Sequence, residues 1–203
     1  MALICKRAAL ICGKSRAARS RIKRATLVAV TVFLTAFAVA LAAAEITVEQ
    51  HGNEILVHAQ SDVDADRATI WSTLSDYDHL ARFIPGMSSS RTVSRNGAEA
   101  VVEQKGSAGL GPFRQSFTVL LAVREDLNRS ISASGIGGDF RGFQSRYEIV
   151  PIGSRRARIV YQATLVPGMF VPPIVGLFAM RSVIGSQFDA LLEEIRRRAE
   201  DAT

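Results

Sequence analysis

The sequence predicts an α+β domain in which an antiparallel sheet curls around one long C-terminal helix. Three observations predict it. Leu177, Met180, Ile184, Phe188, Leu191 and Ile195 recur at spacings of 3, 4, 4, 3 and 4, the repeat of a single helix face. Between Arg91 and Leu165, short segments alternate apolar and polar residues and are parted by tight-turn residues, the pattern of an antiparallel meander. The order of elements is a strand, two short helices, about six strands and a long helix. Helices and strands are thus segregated, as an α+β fold requires.

The long helix is predicted over Pro173 to Ala199, 27 residues and about 40 Å at ~1.5 Å per residue. Pro172 and Pro173 suit a first turn, where a missing N–H costs nothing. Arg196, Arg197 and Arg198 suit a last turn, where cations favour the helix dipole. Ser186, Gln187, Glu193, Glu194 and the arginines fill the outer face of the second half. The first half, with Ile174, Val175, Leu177, Phe178 and Met180, is apolar almost all round, and Gly176 and Gly185 allow close approach. A helix of that kind is expected to be covered on every side and to line a pocket with part of its surface.

The remaining elements follow in chain order. Ile55 to Gln60 reads as a strand. Asp62, Asp64 and Asp66 have the spacing that opens a calcium loop, but Arg67 and Thr73 stand where that loop needs Gly and Glu. Asp64 or Asp66 is instead expected to cap a helix through Ile70, Trp71, Leu74 and Tyr77. Ser75-Asp76 divides this helix from a second piece through Leu80 and Phe83, and Pro85-Gly86 ends it. Asn96-Gly97 is a strong hairpin signal between two strands. Phe113, Phe117, Val119, Leu121 and Val123 form one face of the next strand. Asp126 to Asn128 turn into Ser130 to Ser134. Phe143, Tyr147 and Ile149 share a face, as do Ala157, Ile159, Tyr161 and Leu165.

Charge is unevenly placed. The net charge is +6, yet the first 24 residues hold eight Lys and Arg and no acid. The rest has 17 Lys and Arg against 19 Asp and Glu, so the domain offers no basic surface for DNA or RNA. Residues 25–44 carry no charge and end in Ala42-Ala43-Ala44. Residues 1–44 are therefore expected to be a basic leader and a secretory signal cleaved before Glu45. Twenty apolar residues are also long enough for an inner-membrane anchor. Either way residues 45–203 are expected outside the cytoplasm, periplasmic or in the cell envelope. Both cysteines, Cys5 and Cys12, lie in the leader. The domain is left without a thiol nucleophile or thiolate metal ligand.

Motifs for catalysis, metal or cofactor are sparse. His51, His58 and His79 form no i, i+4 pair, and neither HExxH nor G-x-S-x-G occurs. The glycine-rich runs at 106–111 and 135–138 lie between strands and read as strand ends and bulges. No metal, cofactor or nucleic acid is expected. Gly138-Asp139-Phe140-Arg141-Gly142-Phe143 sets two aromatics beside an opposed charge pair. That composition suits either a pocket for an apolar ligand or a surface ion pair flanked by two core rings.

Ala68-Thr69-Ile70-Trp71, Leu74-Ser75-Asp76-Tyr77 and Phe83-Ile84-Pro85 carry a resemblance. So do Gly138-Asp139-Phe140-Arg141, Val160-Tyr161, Leu165-Val166-Pro167 and the closing Glu194-Ile195-Arg196-Arg197. In this order and spacing the chain from about Ile55 to Arg198 resembles the START-like, helix-grip (SRPBCC) superfamily, including its coenzyme Q-binding and polyketide cyclase/dehydrase branch. The resemblance implies about six to seven strands gripping the C-terminal helix, with a deep cavity between them. It also implies ligands such as lipids, quinones or polyketides.

The combined reading is a non-enzymatic module that binds a hydrophobic ligand, a lipid or polyprenyl quinone, with contact to a membrane surface as a further possibility. Its lining candidates are Phe117, Phe140, Phe143, Tyr147, Tyr161, Met169, Phe178 and Met180. Arg141, held by Asp139, is the candidate for a polar head group. The rival reading is a cyclase or dehydratase acting on a polyketide-like substrate, with Tyr147, Tyr161, Asp139 or Arg141 in acid–base work.

Overall fold

A computed structural model describes residues 44–108, 115–168 and 173–202. The leader, and with it the expectations of cleavage or anchoring, lies outside the described residues. So does Met169. Among the described residues, no helix is long and apolar enough to cross a membrane.

The architecture is α+β and matches the helix-grip expectation. Eight antiparallel strands form one sheet in the order β1-β2-β8-β7-β6-β5-β4-β3. They are β1 Glu45–His51, β2 Glu54–Val63, β3 Met87–Asn96, β4 Glu99–Ala108, β5 Gln115–Asp126, β6 Ser130–Gly138, β7 Phe140–Gly153 and β8 Arg156–Pro167. After β2, helix α1 (Arg67–Leu74) and a 3₁₀ turn (Tyr77–Arg82) carry the chain to the far edge. The meander then returns strand by strand until β8 pairs with β2. Helix α2 spans Pro173–Asp201 and lies against β1, β2 and α1.

The strand count exceeds the expected six to seven because β1 was not foreseen. Ile46 and Val48 alternate with Thr47 and Glu49, and Gly52-Asn53 make the turn that pairs His51 with Glu54. Gly52 has φ +63°, where a side chain would be strained. The next predicted hairpin forms one residue later than expected: Asn96 ends β3, and Gly97-Ala98 make the turn. Of the two candidate caps, Asp66 starts α1. Its carboxylate accepts from the Thr69 backbone N–H at 2.9 Å and the Thr69 hydroxyl at 2.9 Å. Those bonds hold the carboxyl below its ordinary pKa.

The second half of α2 closes the core. Phe188, Leu191, Leu192 and Ile195 are almost wholly buried among Ile70, Trp71 and Leu74 of α1 and Val63, Val102, Val123 and Ile159 of the sheet. Each such side chain contributes about 1.5–3 kcal/mol by leaving water. Arg198 does more than favour the helix dipole. Its guanidinium donates to Asp76 Oδ2 at 2.8 Å and to Glu194 Oε1 at 2.7 Å, and lies 5.7 Å over the Phe83 ring. It thereby ties α2 to the α1 and 3₁₀ segment.

The first half of α2 corrects an expectation. Leu177, Met180 and Ile184 meet the sheet, but Phe178 is 71% exposed. It is not a lining residue. The sheet covers one side of this half, and Phe178 falls on the other. Close approach does not require glycine at 185: a Cβ there would make only ordinary contact, 3.5 Å from Ile46 Cδ1 on β1.

Candidate functional site

The site is built by register. Tyr147 on β7 stands directly opposite Tyr161 on β8. Their rings stack with centroids 4.4 Å apart, tilted by 32°. One row further along the inner face, Val57, Ala163, Ser145 and Ala133 lie side by side across β2, β8, β7 and β6. The row after that brings together Ile55, Leu165 and Phe143. Large side chains thus frame a strip of small ones. Above the strip run Leu177, Met180 and Ile184 of α2.

Three further contacts complete the lining. Phe117 of β5 meets Phe140 edge to face at 5.8 Å, and Phe140 meets Phe143 at 5.9 Å. Phe117, Phe140, Phe143, Tyr147, Tyr161, Leu177, Met180 and Ile184 are all only partly buried. Their neighbours along the same strand faces are not: Val119 is 4% exposed, Ile149 4% and Ile159 0%. Apolar rings that face a core yet keep accessible surface mark space the protein does not fill.

Among the described residues, the polar groups beside the stacked rings include the hydroxyls of Tyr147, Tyr161 and Ser145. Burial pushes the Tyr161 phenol up to about 12, partly offset by the neighbouring Ser145 hydroxyl. Burial, and secondarily the Tyr161 phenol, pushes Tyr147 up as well. Both are neutral donors at ordinary pH. The Tyr147 hydroxyl makes no hydrogen bond among the described residues. None of the described residues that frame the recess is charged.

Of the ten residues expected to bind ligand, the structure brings together Phe117, Phe140, Phe143, Tyr147, Tyr161 and Met180. Two others need correction beside Phe178. Arg141 does not pair with Asp139. It is the extra residue of a bulge between Phe140 and Gly142 and is exposed. A bulge turns one side chain out of the alternation, so Phe140 stays in and Arg141 goes out. Asp139 spends its carboxylate on the sheet: Oδ2 accepts from the Thr118 backbone N–H at 2.6 Å, while its own N–H donates to the Thr118 carbonyl at 2.9 Å. It substitutes for a ladder partner where β6 ends.

Sequence reasoning missed Ser145, Ala133 and Ala163 as site residues. Ser145 shares the period-two face of Phe143 and Tyr147, so its orientation was legible. That three small residues from three strands would form one strip was not, because it depends on pairing register. The histidines stay out of the recess: His79 Nδ1 lies 2.6 Å from Asp76 Oδ1, and His51 Nε2 3.2 Å from Glu49 Oε2. No cluster of metal ligands occurs among the described residues.

The opposite sheet face has its own depression, a groove of about 580 Å³ that crosses β1, β2, β8, β7 and β6. Thr47, His58, Gln162, Arg146 and Ser132 cross it in register. Its lining mixes these polar groups with apolar ones, Leu56 among them.

The fold has known counterparts. The chain is similar to a START superfamily protein from Mycobacterium smegmatis, with 20% identity, TM-score 0.57, and 73% of this chain and 99% of that one covered. It is similar to the Zhui aromatase/cyclase from Streptomyces sp. R1128, with 14% identity, TM-score 0.59, and 72% and 94% covered. It is also similar to a STAR-related lipid transfer protein fragment from Xanthomonas axonopodis, with 10% identity, TM-score 0.55, and 76% and 99% covered. At such identities the likeness shows the fold. No curated protein matches the sequence. The family described as polyketide cyclase / dehydrase and lipid transport matches residues 63–192, which include both tyrosines, the strip of small residues and most of α2. The chain belongs to that family.

Proposed function

We propose that residues 45–203 bind and carry a hydrophobic molecule, a lipid or polyprenyl quinone, between the inner sheet face and the first half of α2. One observation carries this reading: six ring and thioether side chains, Phe117, Phe140, Phe143, Tyr147, Tyr161 and Met180, face inward without being fully covered. The driving force is burial of the ligand's chain, at about 0.8 kcal/mol per CH₂. A chain of ten carbons then outweighs any single polar contact. Membership of a family that includes lipid transport supports the reading.

Native mass spectrometry of the domain purified from membranes, followed by organic extraction, tests it. A co-purifying apolar molecule is expected, and Met180→Asp should release it. A domain that retains no apolar molecule and takes up no fluorescent apolar dye would overturn the reading.

The basic leader and uncharged run support a place in the cell envelope. N-terminal sequencing of the envelope fraction is expected to begin near Glu45. An intact leader would favour the inner-membrane anchor, and recovery in the soluble cytoplasmic fraction would reject both.

A second reading, a cyclase or dehydratase, is favoured by the two neutral phenols inside the recess, which have the chemistry of general acids. Asp139 and Arg141 no longer support it, since one is bound to Thr118 and the other is turned outward. Conversion of a linear poly-β-ketone by the purified domain, lost in Tyr147→Phe and Tyr161→Phe, would establish it over the carrier.

A further inference from the structure

We propose that Tyr147 is the polar selector of the recess, donating a hydrogen bond to an acceptor oxygen, a carbonyl or quinone oxygen, on an otherwise apolar ligand. The inference rests on the carrier reading above and specifies the chemical class of its cargo.

Four observations lead to it. Tyr147 and Tyr161 are paired across β7 and β8 and stacked at 4.4 Å, so neither ring turns freely. The Ser145 hydroxyl lies near enough to the Tyr161 phenol to lower its pKa, whereas the Tyr147 hydroxyl has no such neighbour and no hydrogen bond among the described residues. A tyrosine hydroxyl taken out of water normally finds a partner, and one left over in a pocket is a group reserved for water or ligand. The rows around it are apolar: Ile131 stands beside Tyr147 on β6, and Ala59 beside Tyr161 on β2.

The class of acceptor follows from what surrounds the hydroxyl. No cation lies among the described residues that frame the recess, so a carboxylate or phosphate buried beside them would lack a counter-charge and meet a large desolvation cost. A neutral oxygen meets no such cost. The phenol donates throughout the ordinary pH range because burial holds its proton on. A carbonyl on an aromatic or polyenyl body also places a flat group against the stacked rings, which favours it over a simple alcohol.

Discrimination should follow from the missing bond rather than from shape. An analogue without the oxygen leaves the Tyr147 hydroxyl desolvated and unpaired, and a site built this way rejects it. Tyr147→Phe removes that penalty while keeping the ring and its stacking, so the variant should fold as the parent does.

The test uses decyl-1,4-benzoquinone and decylbenzene, matched in chain length and ring size, competing with the dye N-phenyl-1-naphthylamine on the whole domain. The parent is expected to bind the quinone more tightly by roughly two- to ten-fold. Tyr147→Phe should erase that preference by weakening the quinone and sparing decylbenzene. Tyr161→Phe should keep most of it, since Ser145 already stands beside the Tyr161 hydroxyl. Thermal melts of both variants check that they fold. Equal affinity of the parent for the two compounds, or a preference that survives Tyr147→Phe, would overturn the selector while leaving the carrier intact. Failure of dye and both compounds to bind would overturn the carrier reading itself, and the selector with it.

Discussion

The two halves of α2 face one sheet and are treated oppositely by it. The half from Phe188 to Ala199 is enclosed: α1 supplies a third wall, and the sheet offers Val63, Val102, Val123 and Ile159. Phe188 and Ile195 are 2% and 0% exposed. The half from Gly176 to Ile184 has no α1 above it. The sheet there offers Ala163, Ser145 and Ala133 between two aromatic rows, and Leu177, Met180 and Ile184 stay partly open. The difference shows that helical periodicity marks which side chains face inward, while the sizes of the facing residues decide whether inward means filled.

Truncations at the two ends should break the comparison if it is wrong. Phe188→Ala is expected to cost about 3–5 kcal/mol, the range for deleting a ring from a filled core. Phe143→Ala should cost less than half of that, because its ring already borders open space, yet it should weaken dye binding. Denaturant melts of both variants check this, and equal losses would mean the two ends are equally filled.

Enlargement should show the reverse asymmetry. Ala157, 1% exposed in the closed end, should not accept Leu without a cost of about 1–3 kcal/mol for overpacking. Ala133→Leu should cost less than about 1 kcal/mol and displace the dye. Retained dye binding in Ala133→Leu would take the strip of small residues out of the site.

The closed end is also locked by charge, and the lock has a pH signature. Hydrogen bonds from Arg197, then Arg198, hold the Glu194 carboxyl down at about 2 against an ordinary 4.5. Below 4.5 the unfolded chain binds more protons than the folded one, so this contribution is complete above 4.5 and is lost as pH falls toward 2. Arg198→Ala should cost about 1.5 kcal/mol at neutral pH and flatten the acid limb of the stability curve. An unchanged acid limb would show that Arg198 does not hold Glu194.

The smallest expected effect is at Phe178. Its side chain is 71% exposed, so Phe178→Asp should change stability by no more than about 0.5 kcal/mol. A thermal melt shifted as far as that of Phe188→Ala would mean that something covers this face in solution.

Much of this was legible without coordinates. The periods of 3.6 and 2 placed α2 and most strands, and the alternation of Phe143, Tyr147 and Ile149 put both tyrosines on the inner face. Asp66 and Asn96-Gly97 marked a cap and a hairpin because those residues act through their own local backbone. The errors arose where a residue's role depends on distant chain. Arg141 looked like a head-group contact until a bulge against Val166 and Pro167 turned it out. Asp139 looked like its ion-pair partner until strand β5 brought the Thr118 N–H within reach. Phe178 looked enclosed because its neighbours were apolar, but enclosure needs a second surface, and none of the described elements supplies one there.

By itself, then, the sequence determined the class of fold, the inward face of most elements and the family, which follow from local periodicity and from side-chain chemistry in order along the chain. Only the tertiary structure decided where the core is left unfilled. Pairing register alone lines up Ala163, Ser145 and Ala133 from three separate strands, and the position of α1 alone determines which half of α2 is covered. Volume is a property of neighbours in space, and no window of sequence contains them.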